Sequence, residues 1–227
     1  MMVPIPGVLS ADQVRVLRAE LLGSDAWVDG RVSAGYQGAP VKKNRQLDER
    51  CATAIRCGAS VLQALETNPL FISAALPNIA YPPMFNRYGE GMTFGAHVDG
   101  GVRIDPRSGR KLRTDLSATL FLSDPQDYDG GELEVVDTYG VHAVKLNAGD
   151  MILYPATSLH QVTPITRGER LAAFFWVQSL VREDTRRALL FEMDTAIQTL
   201  NAAGGADAAR RTLVGCYHNL LREWAET

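Results

Sequence analysis

Between about residue 79 and residue 178 the chain breaks into short apolar segments separated by glycine-rich turns, and this punctuation limits the fold more than any other feature. SATLFLS (117–123), GELEVV (131–136), VHAVKL (141–146), MILYP (151–155), HQVTPI (160–165) and RLAAFFWVQ (170–178) follow one another, with Asp-Gly-Gly, Tyr-Gly and Ala-Gly-Asp between some of them. Short β-branched and aromatic runs at nearly regular spacing predict an all-β sandwich or barrel. Helical segments do not alternate with these strands, which disfavours a Rossmann-type sheet.

Both flanks read as helical. Ser10 with Gln13 three residues on is a capping-box pattern, and Val14, Leu17, Leu21 and Leu22 follow at helical spacing. A second periodic stretch carries Ile55, Val61, Leu62 and Leu65, with Asn68-Pro69 as its expected stop. GYQGAPVKKNRQ, between the two, reads as a loop with room for a short strand. Beyond Val181, residues 183–202 and 206–224 form two helical patterns divided by Ala202-Ala203-Gly204-Gly205. The expected organisation is an N-terminal helical wrap (1–78), a β core (79–178) and a C-terminal helical extension (179–227). The apolar faces of the last two helices suit either packing on the core or a homo-oligomer contact.

Composition narrows the setting. Hydrophobic residues make up 46% of the 227, and charged residues 22%, as in an ordinary globular chain rather than a disordered one. No apolar run is long enough to span a membrane, and the N-terminus lacks a basic start with an apolar core, so the expectation is a cytoplasmic protein. Three cysteines without a CxxC argue against a disulfide framework or a cysteine-rich zinc site. A net charge of −3 gives no global attraction to nucleic acid.

Only four histidines occur, and two of them fall at informative positions. His97 and Asp99 form an H-x-D pair after FNRYGEGMTFGA; in extended chain such residues share a face, about 7 Å apart between Cα atoms. His160 opens a later strand. Two histidines and one carboxylate, with further coordination positions open, are the ligand set of non-haem Fe(II) oxygenases. Each residue alone has an ordinary reading, as a loop histidine, a turn aspartate or a strand histidine; the combination carries the inference. Arg170 adds to it. A three-residue hairpin at Thr166-Arg167-Gly168, with Gly168 left-handed, sets Arg170 opposite Pro164, on the face of His160 and about 13 Å along the strand. A guanidinium there can grip one end of a dicarboxylate whose other end chelates the metal.

At these residues the chain resembles a known family, the Fe(II)- and 2-oxoglutarate-dependent dioxygenases. More narrowly it is similar to the bacterial PKHD-type hydroxylases, sometimes described as iron-uptake factors. FNRYGEGMTFGAHVDG (85–100), RTDLSATLFLSDPQDYDGGELEV (113–135), GDMILYPATSLHQVTPITRGER (149–170) and AAFFWVQSLVR (172–182) carry the resemblance, which runs over nearly the full chain. It implies a double-stranded β-helix, or jelly roll, with iron on His97, Asp99 and His160 and 2-oxoglutarate on Arg170. Tyr88 is a further candidate contact for the oxoacid, with a core tyrosine as its alternative. The implied reaction couples O2 and decarboxylation of 2-oxoglutarate to succinate and CO2 with hydroxylation of a small-molecule or peptidyl substrate, and L-ascorbate is the implied reductant.

Two other classes fit parts of the pattern: an iron- or 2-oxoglutarate-sensing binding protein without efficient turnover, and a cupin-type structural-metal barrel. Arg170 speaks against the latter, because a structural metal needs no dicarboxylate clamp. Leu120, Phe121, Phe174, Phe175 and Trp176 read as barrel filling, and His142 and His218 as structural. Lys42, Lys43 and Arg45 form one basic cluster, and Arg103, Arg107, Arg110, Lys111 and Arg113 another. Solvated loops are their default reading; the functional one is that both clusters help recognise an anionic or carboxylate-bearing substrate, with charge reversal at Arg107 and Arg110 as its test. Neither cluster has the interleaved aromatics of a nucleic-acid binder.

Overall fold

In the computed structural model, described over residues 1–36, 38–205 and 207–226, the ten-residue strand Arg170–Ser179 forms the spine of the larger sheet. Leu116–Phe121 pairs along one edge of it, and Met84–Tyr88 and Pro77–Ala80 along the other, all antiparallel. Met151–Pro155 and Val3–Ile5 extend the first side, and Arg45–Leu47 and Trp27–Asp29 the second. A smaller sheet faces it in the order Gly140–Val144, Leu133–Asp137, His160–Val162, Thr93–His97, Lys42–Lys43. The two facing antiparallel sheets make the jelly roll, and among the described residues five α-helices flank it.

Period-two alternation decides what each strand buries. Along the spine, Leu171, Ala173, Phe175 and Val177 face outward and pack with Leu116, Ala118 and Leu120 of the neighbouring strand. Three helices, α1 (Ala11–Leu22), α2 (Ala52–Glu66) and α3 (Pro69–Ala75), close this face with Val14, Leu17, Leu21, Val61, Leu65 and Phe71. The opposite parity points between the sheets, where Tyr88, Phe121, Ile152 and Tyr154 meet Leu133, Val135, Val144 and Val162. The central strands are therefore apolar on both faces and read as continuous runs.

Local chemistry sets the helix ends. Ser10 and Gln13 form the reciprocal capping box of α1. Asn68-Pro69 does end α2, but it also starts α3, which the sequence reading did not include. The Asn68 side chain accepts the Phe71 amide at 2.9 Å, and Pro69 occupies the first turn, where its missing N–H costs nothing. Within α2 the buried face is Ala54, Cys57, Gly58, Val61 and Leu65, and Ile55 turns outward.

The hairpin expected at Thr166-Arg167-Gly168 does not form. Ile165–Gly168 pairs with Tyr128–Gly130, and the chain then crosses to the other sheet to begin the spine at Arg170. Gly168 is left-handed (φ +74°), and its α-carbon lies against the Asp127 carbonyl, where a Cβ would stand 2.1 Å from the oxygen, so both its backbone and its surroundings call for glycine. A roll of two sheets sends successive strands to opposite layers, so sequence neighbours there need not pair.

At the other end of the chain, α4 (Asp184–Ala203) and α5 (Asp207–Trp224) form a hairpin. Leu190 is buried with Leu76 and Val181, and Tyr217, Leu220, Leu221 and Trp224 of α5 pack on this cluster. The chain itself thus covers Leu190 and partly covers the α5 positions, while Leu189 is exposed. Among the described residues no helix is long and apolar enough to cross a membrane.

Candidate active site

His97 ends one strand of the smaller sheet and His160 begins its neighbour, and the two are Cα partners. A register irregularity follows between His160 and Val162; such breaks in a ladder re-aim side chains. The two imidazoles stand 4.2 Å apart between ring centroids. Asp99 reaches between them, with Oδ1 4.0 Å from His97 Nε2 and Oδ2 3.7 Å from His160 Nε2. One ligand atom from each residue falls within 4.8 Å of the other two, close enough for all three to meet one ion.

Backbone carbonyls set the tautomers. His97 Nδ1 lies 2.8 Å from Gly95 O, and His160 Nδ1 lies 3.0 Å from Ser158 O. A proton on each Nδ1 donates to those carbonyls and leaves Nε2 free as a ligand. Burial, reinforced by His160, lowers His97 to about 4, so it is neutral near pH 7, as metal ligation requires. Asp99 Oδ2 accepts the Ser117 hydroxyl at 2.6 Å. Phe94 stacks on His97 at 3.6 Å, and Tyr154 meets His160 edge-on at 5.3 Å. The ligands are thus packed, and their free nitrogens share one target.

Arg170 lies in the same cavity, of about 380 Å³, which is also lined by Asn86, Tyr88, Thr119 and Tyr154. Its side chain comes from the spine of the larger sheet, opposite Tyr88 in register, and the residue is only 1% exposed. Nε and Nη1 have no hydrogen-bond partner among the described residues. The rings of Tyr88 and Phe121 lie 5.5 and 5.2 Å from its guanidinium carbon. A buried cation without a counter-charge costs several kcal/mol, so this pocket is built for an anion. Burial pushes Tyr88 up to about 12 and raises Tyr154 as well, leaving both as neutral phenols able to donate. The donor set fits a hard divalent ion at one end and a carboxylate at the other.

The cavity holds residues that sequence reasoning placed elsewhere. Lys42, expected in a solvated loop, is 5% exposed and lines it. Lys42, Asn44 and Gln46 are all buried, and this polar alternation was the signal in the sequence for strands in GYQGAPVKKNRQ. Phe174 and Trp176, expected as barrel filling, face the cavity, as does Arg103. Arg107 and Arg110 lie in the exposed turn between Val102–Ile104 and Lys111–Arg113, off the cavity lining. His142 pairs with Asp137 at 2.9 Å and does not join the His97–Asp99–His160 cluster.

Comparison with known proteins agrees with this architecture. Residues 83–178 match the 2OG-Fe(II) oxygenase superfamily, and residues 184–226 match the PKHD-type hydroxylase C-terminal domain. A PKHD-type hydroxylase of Cupriavidus metallidurans is 69% identical over 228 residues, covering 100% of both chains, and one of Caulobacter vibrioides is 59% identical, again over 100% of both. Among solved structures, a Pseudomonas putida prolyl-4-hydroxylase superposes with a TM-score of 0.54 at 24% identity, over 78% of this chain and 92% of that one. HygX from Streptomyces hygroscopicus, solved with nickel and 2-oxoglutarate bound, gives a TM-score of 0.54 at 16% identity over 78% and 82%. At these identities the structural matches speak for the fold, and the full-length relatives for the family. With its oxygenase core, its C-terminal helical domain and its end-to-end identity to those relatives, the chain belongs to the PKHD-type hydroxylases, 2-oxoglutarate- and iron-dependent dioxygenases.

Proposed function

We propose that His97, Asp99 and His160 hold Fe(II), and that Arg170 binds the distal carboxylate of 2-oxoglutarate with Tyr88 as a second donor. Bound together, ferrous iron and 2-oxoglutarate supply the oxidising chemistry: O2 and the oxoacid are consumed, succinate and CO2 are released, and a substrate C–H becomes C–OH. The residues of this chain do the positioning. Two neutral imidazoles and one carboxylate hold the ion while leaving coordination positions open. Ser117 orients the carboxylate, and the carbonyls of Gly95 and Ser158 orient the rings. Tyr88, Phe121 and Tyr154 surround the oxoacid end with buried side chains, which strengthens the Arg170–carboxylate attraction by excluding water.

One observation carries this reading: a buried, unpartnered guanidinium opens into the same cavity as three convergent ligand atoms. We assign L-ascorbate the supporting role of returning oxidised iron to the ferrous state. Cytoplasmic action suits three cysteines that are all unpaired. The substrate is a small molecule or a peptidyl group admitted through the cavity mouth. The test is succinate release from 2-oxoglutarate under air, with and without Fe(II). Iron-dependent succinate that disappears in R170M and H160A is expected; turnover without iron, or turnover indifferent to both substitutions, would overturn the assignment.

A further inference from the structure

Two cations line the cavity beyond those the oxoacid needs. Lys42 stands on the strand that pairs directly with Thr93–His97, and its Nζ lies 5.1 Å from the ring of Phe94, the residue stacked on His97. The ammonium has three donors, and two of them meet neutral acceptors, Ser33 Oγ at 2.9 Å and Gln46 Oε1 at 3.0 Å. The third has no partner among the described residues. Arg103 lies over Trp176, with its guanidinium carbon 4.3 Å from the ring, and its other close neighbours are the Tyr81 ring and the Met84 sulfur. Neither cation has a carboxylate within ion-pair distance among the described residues. The two stand on adjoining rings: Lys42 Nζ is 5.5 Å from Phe174, whose ring is 5.8 Å from that of Trp176.

Charge balance shows what is left over. On the reading above, a divalent ion, the Asp99 carboxylate, doubly charged 2-oxoglutarate and Arg170 cancel one another. Lys42, which feels Asp99 and Asp29 only at a distance, and Arg103, which lies beside Tyr81 while the Tyr81 hydroxyl bonds Glu49, then remain without a directly paired carboxylate in a cavity walled by Phe94, Phe174 and Trp176. A buried or half-buried cation without a partner is unfavourable unless a ligand supplies the anion. Two such cations flanking an aromatic shelf make a receptor for an oxyanion attached to an apolar body.

We propose that the hydroxylated substrate carries an oxyanion, a carboxylate or a phosphate monoester, bound between Lys42 and Arg103 with its apolar portion against Phe174 and Trp176. This rests on the iron and 2-oxoglutarate assignment for the orientation of the substrate toward the metal, but the oxyanion pocket itself stands on the geometry of Lys42 and Arg103. The pocket makes Lys42 and Arg103 the residues that select the substrate, and leaves Arg170 to the co-substrate.

The test uses the full-length protein and three probes of one shape: benzoate, phenyl phosphate and neutral benzamide. In the metal-free protein with 2-oxoglutarate held in excess, binding is read from tryptophan fluorescence, with Trp176 as the reporter in the cavity. In the Mn(II)-loaded protein with 2-oxoglutarate, it is read from paramagnetic relaxation of the probe protons. Benzoate or phenyl phosphate binding roughly tenfold tighter than benzamide is expected, a difference of about 1.4 kcal/mol, because only the anions can form charge-assisted hydrogen bonds. The tighter of the two anions identifies the oxyanion. R103Q and K42M should each reduce the preference, and the double variant should abolish it; R103K should retain it, which separates lost charge from a damaged fold. No saturable anion binding, equal binding of benzoate and benzamide, or a preference that survives the double variant would overturn the proposal. If Mn(II) and 2-oxoglutarate fail to bind while the fluorescence preference persists, the metal assignment falls and the oxyanion pocket stands.

Discussion

His97 and His160 face each other across one antiparallel ladder as Cα partners, although 62 residues of chain separate them, and their rings stand 4.2 Å apart. Sheet pairing alone therefore brings two candidate ligands together, and Asp99 needs only the next two residues of chain to complete the set. The rigidity of the metal site is the rigidity of the ladder.

Ser117 tests how far the support of Asp99 matters. Its hydroxyl donates to Oδ2 at 2.6 Å, and the residue is 2% exposed. S117A should weaken metal affinity by about 10–100-fold with all three ligands intact, the usual cost of removing a group that orients a ligand. Competitive Mn(II) or Fe(II) titration under anaerobic conditions measures it, and an unchanged affinity would remove Ser117 from the site.

Arg170 leads to a prediction with two opposite signs. Its guanidinium is buried without a counter-charge, so the ligand-free protein bears a cost that R170M relieves. R170M should melt at the same temperature as the parent chain or higher when no ligand is present. It should lose the rise in melting temperature that 2-oxoglutarate gives the metal-loaded parent, with affinity falling about 100-fold. Thermal melts with and without the oxoacid read both signs. A ligand-free melt far below the parent would mean that Arg170 stabilises the fold instead.

The stability of the metal-free protein should depend on pH through His97. Burial and the nearby His160 hold it at about 4 in the folded chain, against about 6.5 when unfolded. Between those values the unfolded chain binds more protons, so stability is full above about 6.5 and declines as pH falls toward 4, by on the order of 2–3 kcal/mol. Urea unfolding at pH 7 and at pH 5 measures the decline. H97Q should flatten it, and a bound divalent ion should oppose it by competing with the proton for Nε2.

Gly131 has no room for a methyl group. Its φ is +68°, and a Cβ would stand 2.3 Å from Ile165 Cδ1, 3.1 Å from the Tyr128 ring and 3.2 Å from Arg170 Cδ. G131A should cost about 1–3 kcal/mol in stability, and it should also raise the KM for 2-oxoglutarate, since Arg170 must shift to make room. Chemical denaturation together with steady-state kinetics separates the two effects; G131S, with a similar clash, should behave alike.

The sequence made the core legible because strand periodicity and turn chemistry agree from residue 117 onward, as at Met151–Pro155, whose bounds coincide with the run MILYP. The candidate triplet was legible because H-x-D is local and His160 stands at a strand start, and the structure brings the three side chains together. The route from His160 to Arg170 was not. Gly168 has the left-handed backbone of a hairpin turn, but the close approach of the Asp127 carbonyl calls for glycine there as well. Nothing local distinguishes a strand that turns back from one that crosses to the opposite sheet. The burial of Lys42 was hidden for a similar reason. A lysine among Gly, Pro and polar residues resembles solvated loop, and its burial depends on pairing with Phe94 some fifty residues later. Asn68-Pro69 carries both a stop and a start, and only the space available to Phe71 against α2 and the sheet shows that another helix follows.

The order of strands in the smaller sheet also bears on how the protein acquires its metal. His160 inserts between Leu133–Asp137 and Thr93–His97, so a growing polypeptide offers at most the His97–Asp99 pair until about 70% of it has been synthesised. Two ligands on an unpaired strand bind an ion weakly. Any ion gathered during translation is free to leave, and selection among metals is deferred to the finished protein, after the non-local pairings that make such topologies slow to fold are in place.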